Sequence, residues 1–314
     1  MVFKRMLGAL GVGAPSVDTV LAGSRVQPGG PLRGEVCLKG GDFDAAIEHI
    51  TLGLVARAEA EHAEGEMTGL AEFARFEVSG PFTLRKGEDK VVGFEVPVPW
   101  ETPISEVEGQ PLTGMALGVR TELAIAKAID KGDLDMLAVE PLPSQLEVLR
   151  AFLRAGFHFK SADVEAGRLY GVAQQLPVFQ EIEFYPPGHH AGRINEVELT
   201  FVAGPADLVI ILEADKRAGR YGSGDAIGRW QVSHAEAMGM NWSAEIDRWL
   251  DSLSQYGGGH YGHDAHYGHD GHHAHRGHGA GMGTVVAAGA AGVVGGLVAG
   301  EIIEDIFEGE DDEG

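Results

Sequence analysis

Thiols, positive charge and long apolar stretches of helical period are all scarce in this sequence. Cys37 is the single cysteine, so an intramolecular disulfide is excluded and a reducing, cytoplasmic setting is expected. Only 24 Lys and Arg face 47 Asp and Glu, a net charge of −23. Such a surface repels phosphate backbones and anionic lipid, so nucleic acid is not an expected partner. The imbalance is −14 over residues 1–255 (23 basic, 37 acidic) and −9 over residues 256–314 (1 basic, 10 acidic). Lys4 and Arg5 precede a short apolar stretch as in a secretion signal. That stretch is Gly-rich, ends at Pro15 and has no clear A-x-A cleavage site, and Phe3, Leu7 and Leu10 fit one face of a short amphipathic helix better.

Assembled catalytic motifs are also missing. In "DKGDLD", Asp130, Asp133 and Asp135 miss the spacing of a calcium loop, which wants oxygens at positions 1, 3 and 5, Gly at 6 and Glu at 12, where Pro141 stands, so the segment reads as a solvated turn. "GSGDAIG" places Gly222, Gly224 and Gly228 one residue too far apart for a dinucleotide fingerprint, and Ser223 is in no G-x-S-x-G elbow; a loop between strands is expected. His189 and His190 in "PPGHHAGR" are adjacent, and adjacent side chains on an extended backbone point apart. His49, His62, His158 and His234 are scattered singly, and Cys37 lies between Val36 and Leu38 as a packed thiol. No catalytic, cofactor-binding or metal-ligating residue is assigned, and no cofactor is expected.

What the chain does have is strand alternation. Ile50, Leu52, Leu54 and Ala56 share one side of a pleat; in "LAEFARFEVSG", Phe76 and Val78 share a face while Phe73 faces the other way. Short strands at regular intervals run through residues 17–142 with no long helical pattern between them, and indicate an antiparallel sandwich. In "PSQLEVLRAFLRAGF" the period changes: Ser144 and Glu147 read as a capping box, Leu146, Leu149 and Leu153 as a stripe, and Gly156 as the stop. Strands resume in "FHFKSADVEAG", "RLYGVAQQLPV", "QEIEFYPP", "RINEVELTFVAG", "PADLVIILEADKR" and "GRWQVSH", making a second sandwich. "NWSAEIDRWLDSLSQ" closes the body as a helix, with Ile246, Trp249 and Leu250 on one face. The expected layout is a sandwich over 1–142, another over 143–235, a helix over 236–255, a His/Gly-rich segment over 256–282, a Gly/Ala-rich apolar segment over 283–300 and an acidic tail over 301–314.

Several of these strings carry a resemblance. "PWETPI" at Pro99–Ile104, "GVRTELAIAKAIDKGDLD" at Gly118–Asp135, "SVDTVL", "GEVCLKGG", "QEIEFYPP" and "NEVELTF" occur in an order that resembles the bacterial sporulation-control protein family. The resemblance covers about residues 1–250. It implies an all-β fold of two tandem arrestin-like antiparallel β-sandwiches, and a non-enzymatic adaptor or regulator of sporulation, development or cell division that works by protein–protein interaction. It brings no catalytic residues, and no phosphate-sensing motif of eukaryotic arrestins is found.

The tail adds further readings. Residues 256–282 hold eight histidines, with "YGHDAH" followed directly by "YGHDGH". Their imidazoles can bind Zn²⁺, Ni²⁺ or Cu²⁺, or gain charge on acidification, although so much glycine leaves no preformed cage. A metal-binding or metal-sensing protein is therefore an alternative, and a hydrolase with dispersed catalytic residues is a weaker one. Residues 283–300 carry no charge, and Gly292, Gly296 and Gly300 line a small-residue ridge. With Ile302, Ile303, Ile306 and Phe307, residues 283–307 suit self-association or peripheral membrane contact.

Overall fold

The computed structural model describes residues 13–62, 65–216, 226–255 and 298–299. Antiparallel strands dominate these residues and helices are few, which is the expected fold class. The first half holds β1 (Ser16–Leu21), β2 (Arg25–Val26), β3 (Pro31–Lys39), β4 (Ala45–His62), β5 (Gly65–Ser79), β6 (Phe82–Leu84), β7 (Asp89–Pro97), β8 (Glu106–Val107), β9 (Gln110–Pro111), β10 (Leu117–Ile125), β11 (Lys131–Met136) and β12 (Ala138–Val139). A small sheet has the order β1-β3-β7, and Leu32, Val36 and Leu38 of β3 turn alternately into the core.

Strand β4 is the spine. Along one edge it pairs with β10 and then, farther on, with β13; along the other it pairs with β6 and then β5. The expected inward set is observed: Ile50, Leu52, Leu54 and Ala56 are each 0% exposed. Phe73 departs from its expected phase. Leu54 pairs with Ala74 and Val55 with Glu72, so β5 carries an extra residue at Phe73. This bulge resets the alternation, and Phe73 and Phe76 both pack on the core.

The second half is a meander of β13 (His158–Ala166), β14 (Val178–Tyr185), β15 (Ile194–Ala203), β16 (Asp207–Lys216) and β17 (Ala226–Ser233). Glu165 of β13 pairs in parallel with Glu59 of β4, which joins the two halves in one hydrogen-bonded sheet. Helices α1 (Pro143–Arg154), α2 (His234–Gly239) and α3 (Trp242–Gln255) share its apolar core through Val148, Phe152, Ala237, Ile246 and Leu250. The last helix has its expected face, with Trp249 also buried; the short α2 before it was not foreseen.

Other local expectations change. Helix α1 begins at Pro143, a residue that lacks the N–H a first turn leaves unpaired, and the Leu142 N–H donates to Gln145 Oε1 at 2.8 Å. Ser144 is thus inside the helix and buried, and no Ser144/Glu147 box opens it. The buried stripe is Gln145, Val148, Leu149 and Phe152, while Leu153 is 55% exposed; both stripes contain Leu149, so spacing alone allowed either. Gly156, at φ +86°, follows the helix as expected.

The expected strand "RLYGVAQQLPV" is a loop up to Pro177, because the Gln174 side chain takes the role of a neighbouring strand. Its Oε1 accepts from the Leu169 N–H and its Nε2 reaches the Gly167, Leu176 and Val178 carbonyls. "DKGDLD" is not a solvated turn either: residues 131–136 form β11, in register with β10. Residues Val298 and Ala299 form a two-residue strand, β18, paired with Ala299↔Gly69 and Val298↔Leu70 on β5. Among the described residues no helix is long and apolar enough to cross a membrane. The N-terminal amphipathic helix, Gly222 to Gly224, the His-rich segment, nearly all of 283–300 and the acidic tail lie outside the described residues.

Candidate functional site: a junction and a carboxylate-lined sheet face

The segment Pro99–Ile104 joins the two halves. The Glu101 carboxylate accepts the Gln175 N–H at 2.8 Å and the Leu176 N–H at 2.8 Å. The Ile104 N–H donates to Gln180 Oε1 at 2.9 Å, and Gln180 Nε2 donates back to the Ile104 carbonyl at 2.7 Å. Ile104 and Gln180 are 0% and 7% exposed, so these reciprocal bonds satisfy backbone groups that water does not reach. Trp100 lies on Gly29, where a Cβ would come within 2.5 Å of the ring; with φ +74° as well, only glycine fits.

His234 completes the junction. Its Nδ1 lies 2.8 Å from Ser144 Oγ and its Nε2 2.9 Å from the Gly204 carbonyl, while its ring centroid is 6.1 Å from that of Trp100. A carbonyl only accepts, so Nε2 carries a proton, and in the neutral imidazole Nδ1 accepts from the Ser144 hydroxyl. The pair has the composition of a catalytic dyad, but Ser144 is 2% exposed and the contact ties α1 to α2 and the β15–β16 turn. Cys37 is half-buried between Asp18 and Val91. His189 and His190 do not point apart as expected: a turn brings their ring centroids to 4.2 Å, and burial, followed by the neighbouring His189, holds the His190 pKa below its usual value.

A second feature lies on strands β13 to β16. Cross-strand register sets Asp163 opposite Glu181, Glu183 opposite Glu198, and Glu198 opposite Glu213. Carboxylate oxygens of Asp163, Glu165 and Glu181 come within 4.8 Å of one another, as do those of Glu183, Glu196 and Glu198. Lys160 Nζ is 2.5 Å from Glu196 Oε2 and 3.3 Å from Glu183 Oε1, and Ser161 Oγ donates to Glu183. Glu181 and Glu198 lie deeper, at 6% and 5% exposure, and Glu198 Oε2 has no hydrogen-bond partner. Burial first, then the charges of Glu198, Asp163, Glu165 and Glu213, push the Glu181 pKa up to about 10. Burial, then Glu213, Glu196, Glu183 and Asp163, push Glu198 up to about 8.

Around Glu72 the sheet resolves its charge differently. Burial alone would raise its pKa, but Arg75, at 2.6 Å, and Arg120, at 2.5 Å, hold it below the usual value; Arg75 also reaches Glu122 at 3.2 Å. Between the two sheets, Asp133 accepts the Thr19 N–H at 2.7 Å, and Thr19 Oγ1 meets Thr121 Oγ1 at 2.6 Å. Asp135, beside Asp133 and Asp18, is raised to about 6, chiefly by burial.

The buried glutamates went unassigned because "QEIEFY" and "NEVEL" place Glu181, Glu183, Glu196 and Glu198 at every second position, the pattern of a solvated strand face. Their register across β14 and β15, which closes them over one another, is a tertiary fact.

The motifs that build the junction and this face lie in a shared stretch of similarity. A family model described as "SpoOM protein" matches residues 3–218. The chain belongs to the Spo0M family. The sporulation-control protein Spo0M of Bacillus subtilis (strain 168) is 32% identical over 264 residues, covering 81% of this chain and 98% of that protein. The crystal structure of Spo0M from Bacillus subtilis superposes with a TM-score of 0.66 at 31% identity, covering 76% of this chain and 99% of that one. Residues beyond 255 fall largely outside the described part.

Proposed function

We propose that the chain is a non-enzymatic regulator of sporulation or of a related developmental or cell-division step. It acts in the cytoplasm as an arrestin-like adaptor, in which paired β-sandwiches present edges and loops to other proteins. The observation that supports this reading is the match over nearly the whole length of a protein named for sporulation control. The junction gives the reading a physical basis: Glu101, Ile104 and Gln180 fix one half against the other, so surfaces contributed by both halves keep a set geometry. Ser144 is held in a closed structural contact, which favours recognition over bond-making.

Complementation tests this. The full chain, produced in Bacillus subtilis lacking Spo0M, is expected to restore spore counts toward the parental level. A Glu101→Gln, Gln180→Ala double variant, produced at equal abundance, is expected to restore them at least tenfold less well. Equal rescue by the double variant would separate the junction from function, and no rescue by the parent chain would remove the regulatory reading.

A further inference from the structure

We propose that Glu183, Glu196 and Glu198 form a binding site for a hard divalent cation, calcium fitting best, on the face of the sheet made by β14 and β15. Clusters of surface acids are common without a ligand; this one is distinguished by Glu198. That side chain is 5% exposed, its carboxylate is turned among acidic neighbours, and its Oε2 has no hydrogen-bond partner. Leaving a buried carboxylate oxygen unpaired is costly, and a cation removes that cost.

The donor set decides the chemistry. All three groups offer oxygen, with no imidazole or thiolate, which suits calcium, magnesium or manganese over zinc or copper. Their oxygens lie within 4.8 Å of one another. Calcium takes roughly six to eight oxygens in flexible geometry, whereas magnesium demands near-ideal octahedral placement and sheds its waters reluctantly. Three carboxylates fixed by strand register, rather than by an octahedral cage, therefore suit calcium best.

Lys160 explains how the sheet tolerates the cluster without metal. Its ammonium bridges Glu196 and Glu183, at 2.5 Å and 3.3 Å, and leaves Glu198 unserved. On a flexible four-carbon stem it swings out as the cation enters, so lysine and metal compete for two of the three carboxylates. The inference is independent of the proposed regulatory role; it concerns a ligand, and holds or fails without any partner protein.

Calorimetric titration of the chelator-treated full chain with calcium chloride, alongside thermal unfolding, tests the site. Calcium is chosen because the histidine segment does not compete for it. The expected result is saturable binding and a higher Tm in calcium. Glu198→Gln and the more exposed Glu196→Gln are each expected to weaken affinity at least tenfold, and Lys160→Met to strengthen it several-fold. A chain with Glu310, Asp311 and Asp312 neutralised to their amides is expected to bind as the parent does. Unchanged affinity in both glutamate variants, loss of binding only in the tail variant, or no heat and no Tm change at millimolar calcium would each overturn the proposal.

Discussion

The middle of β5 and β10 and the face of β13 to β16 belong to one hydrogen-bonded sheet, yet they handle acidic side chains in opposite ways. Around Glu72, two arginines match one half-buried carboxylate and hold its pKa down. Around Glu198, one lysine serves two carboxylates at the rim, and the two deepest are held near neutral by burial and by one another. The first arrangement is complete within the chain. The second leaves an oxygen unpaired, and that difference marks where an external ligand has something to add.

The contrast can be broken or sharpened by substitution. The largest effect is expected where the halves meet, since both stretches need the junction intact. Gln180→Ala leaves the buried Ile104 N–H and carbonyl without partners, a cost of about 3 kcal/mol at roughly 1–3 kcal/mol per group, read by denaturant unfolding. Smaller is the loss of both cations at Glu72. The Arg75→Ala, Arg120→Ala double variant is expected to lose about 1–2 kcal/mol, the side chains being partly exposed, and the Glu72 pKa to rise above its usual value. Replacing only Arg75 leaves Arg120 in place, and is expected to cost less than half as much.

The effect expected at Glu198 has the opposite sign. Glu198→Gln removes a buried acid, so with chelator present it is expected to change stability little at pH 4.5 and to stabilise the chain by at least about 1 kcal/mol at pH 8.5. The direction follows from the raised pKa. Between the unfolded value near 4.5 and the folded value of about 8, the folded state holds a proton that the unfolded state has released. Stability therefore falls as pH rises through that window, by up to about 1.4 kcal/mol per unit for one such group. The parent Tm is expected to drop between pH 6.5 and 8.5 and the variant Tm to drop less. Glu181, raised higher still, keeps part of the slope in the variant.

How much of this was legible in the sequence depends on how local each cause is. The inward set Ile50, Leu52, Leu54 and Ala56 follows from alternation alone, and the last helix from the spacing of Ile246, Trp249 and Leu250. Phe73 was misphased because a bulge is a property of two strands, visible only once β4 is paired with β5. The loop at 168–177 read as a strand because its apolar residues alternate; Gln174 and Glu101 bind its backbone from outside the local pattern. The motif Pro99–Ile104 was visible as a resemblance, but its work at the junction depends on Gln180, 76 residues away. The buried glutamates were hidden most completely, because a strand with acids at every second position looks the same whether water or other acids face it.

Carbon-13 NMR titration of the side-chain carboxyls, with chelator present, measures the contrast most directly. Glu72 is expected to titrate below its ordinary value, Glu198 at about 8 and Glu181 at about 10. Glu181 and Glu198 both titrating near 4.5, together with Glu72, would show that the two faces manage charge alike and would contradict the account.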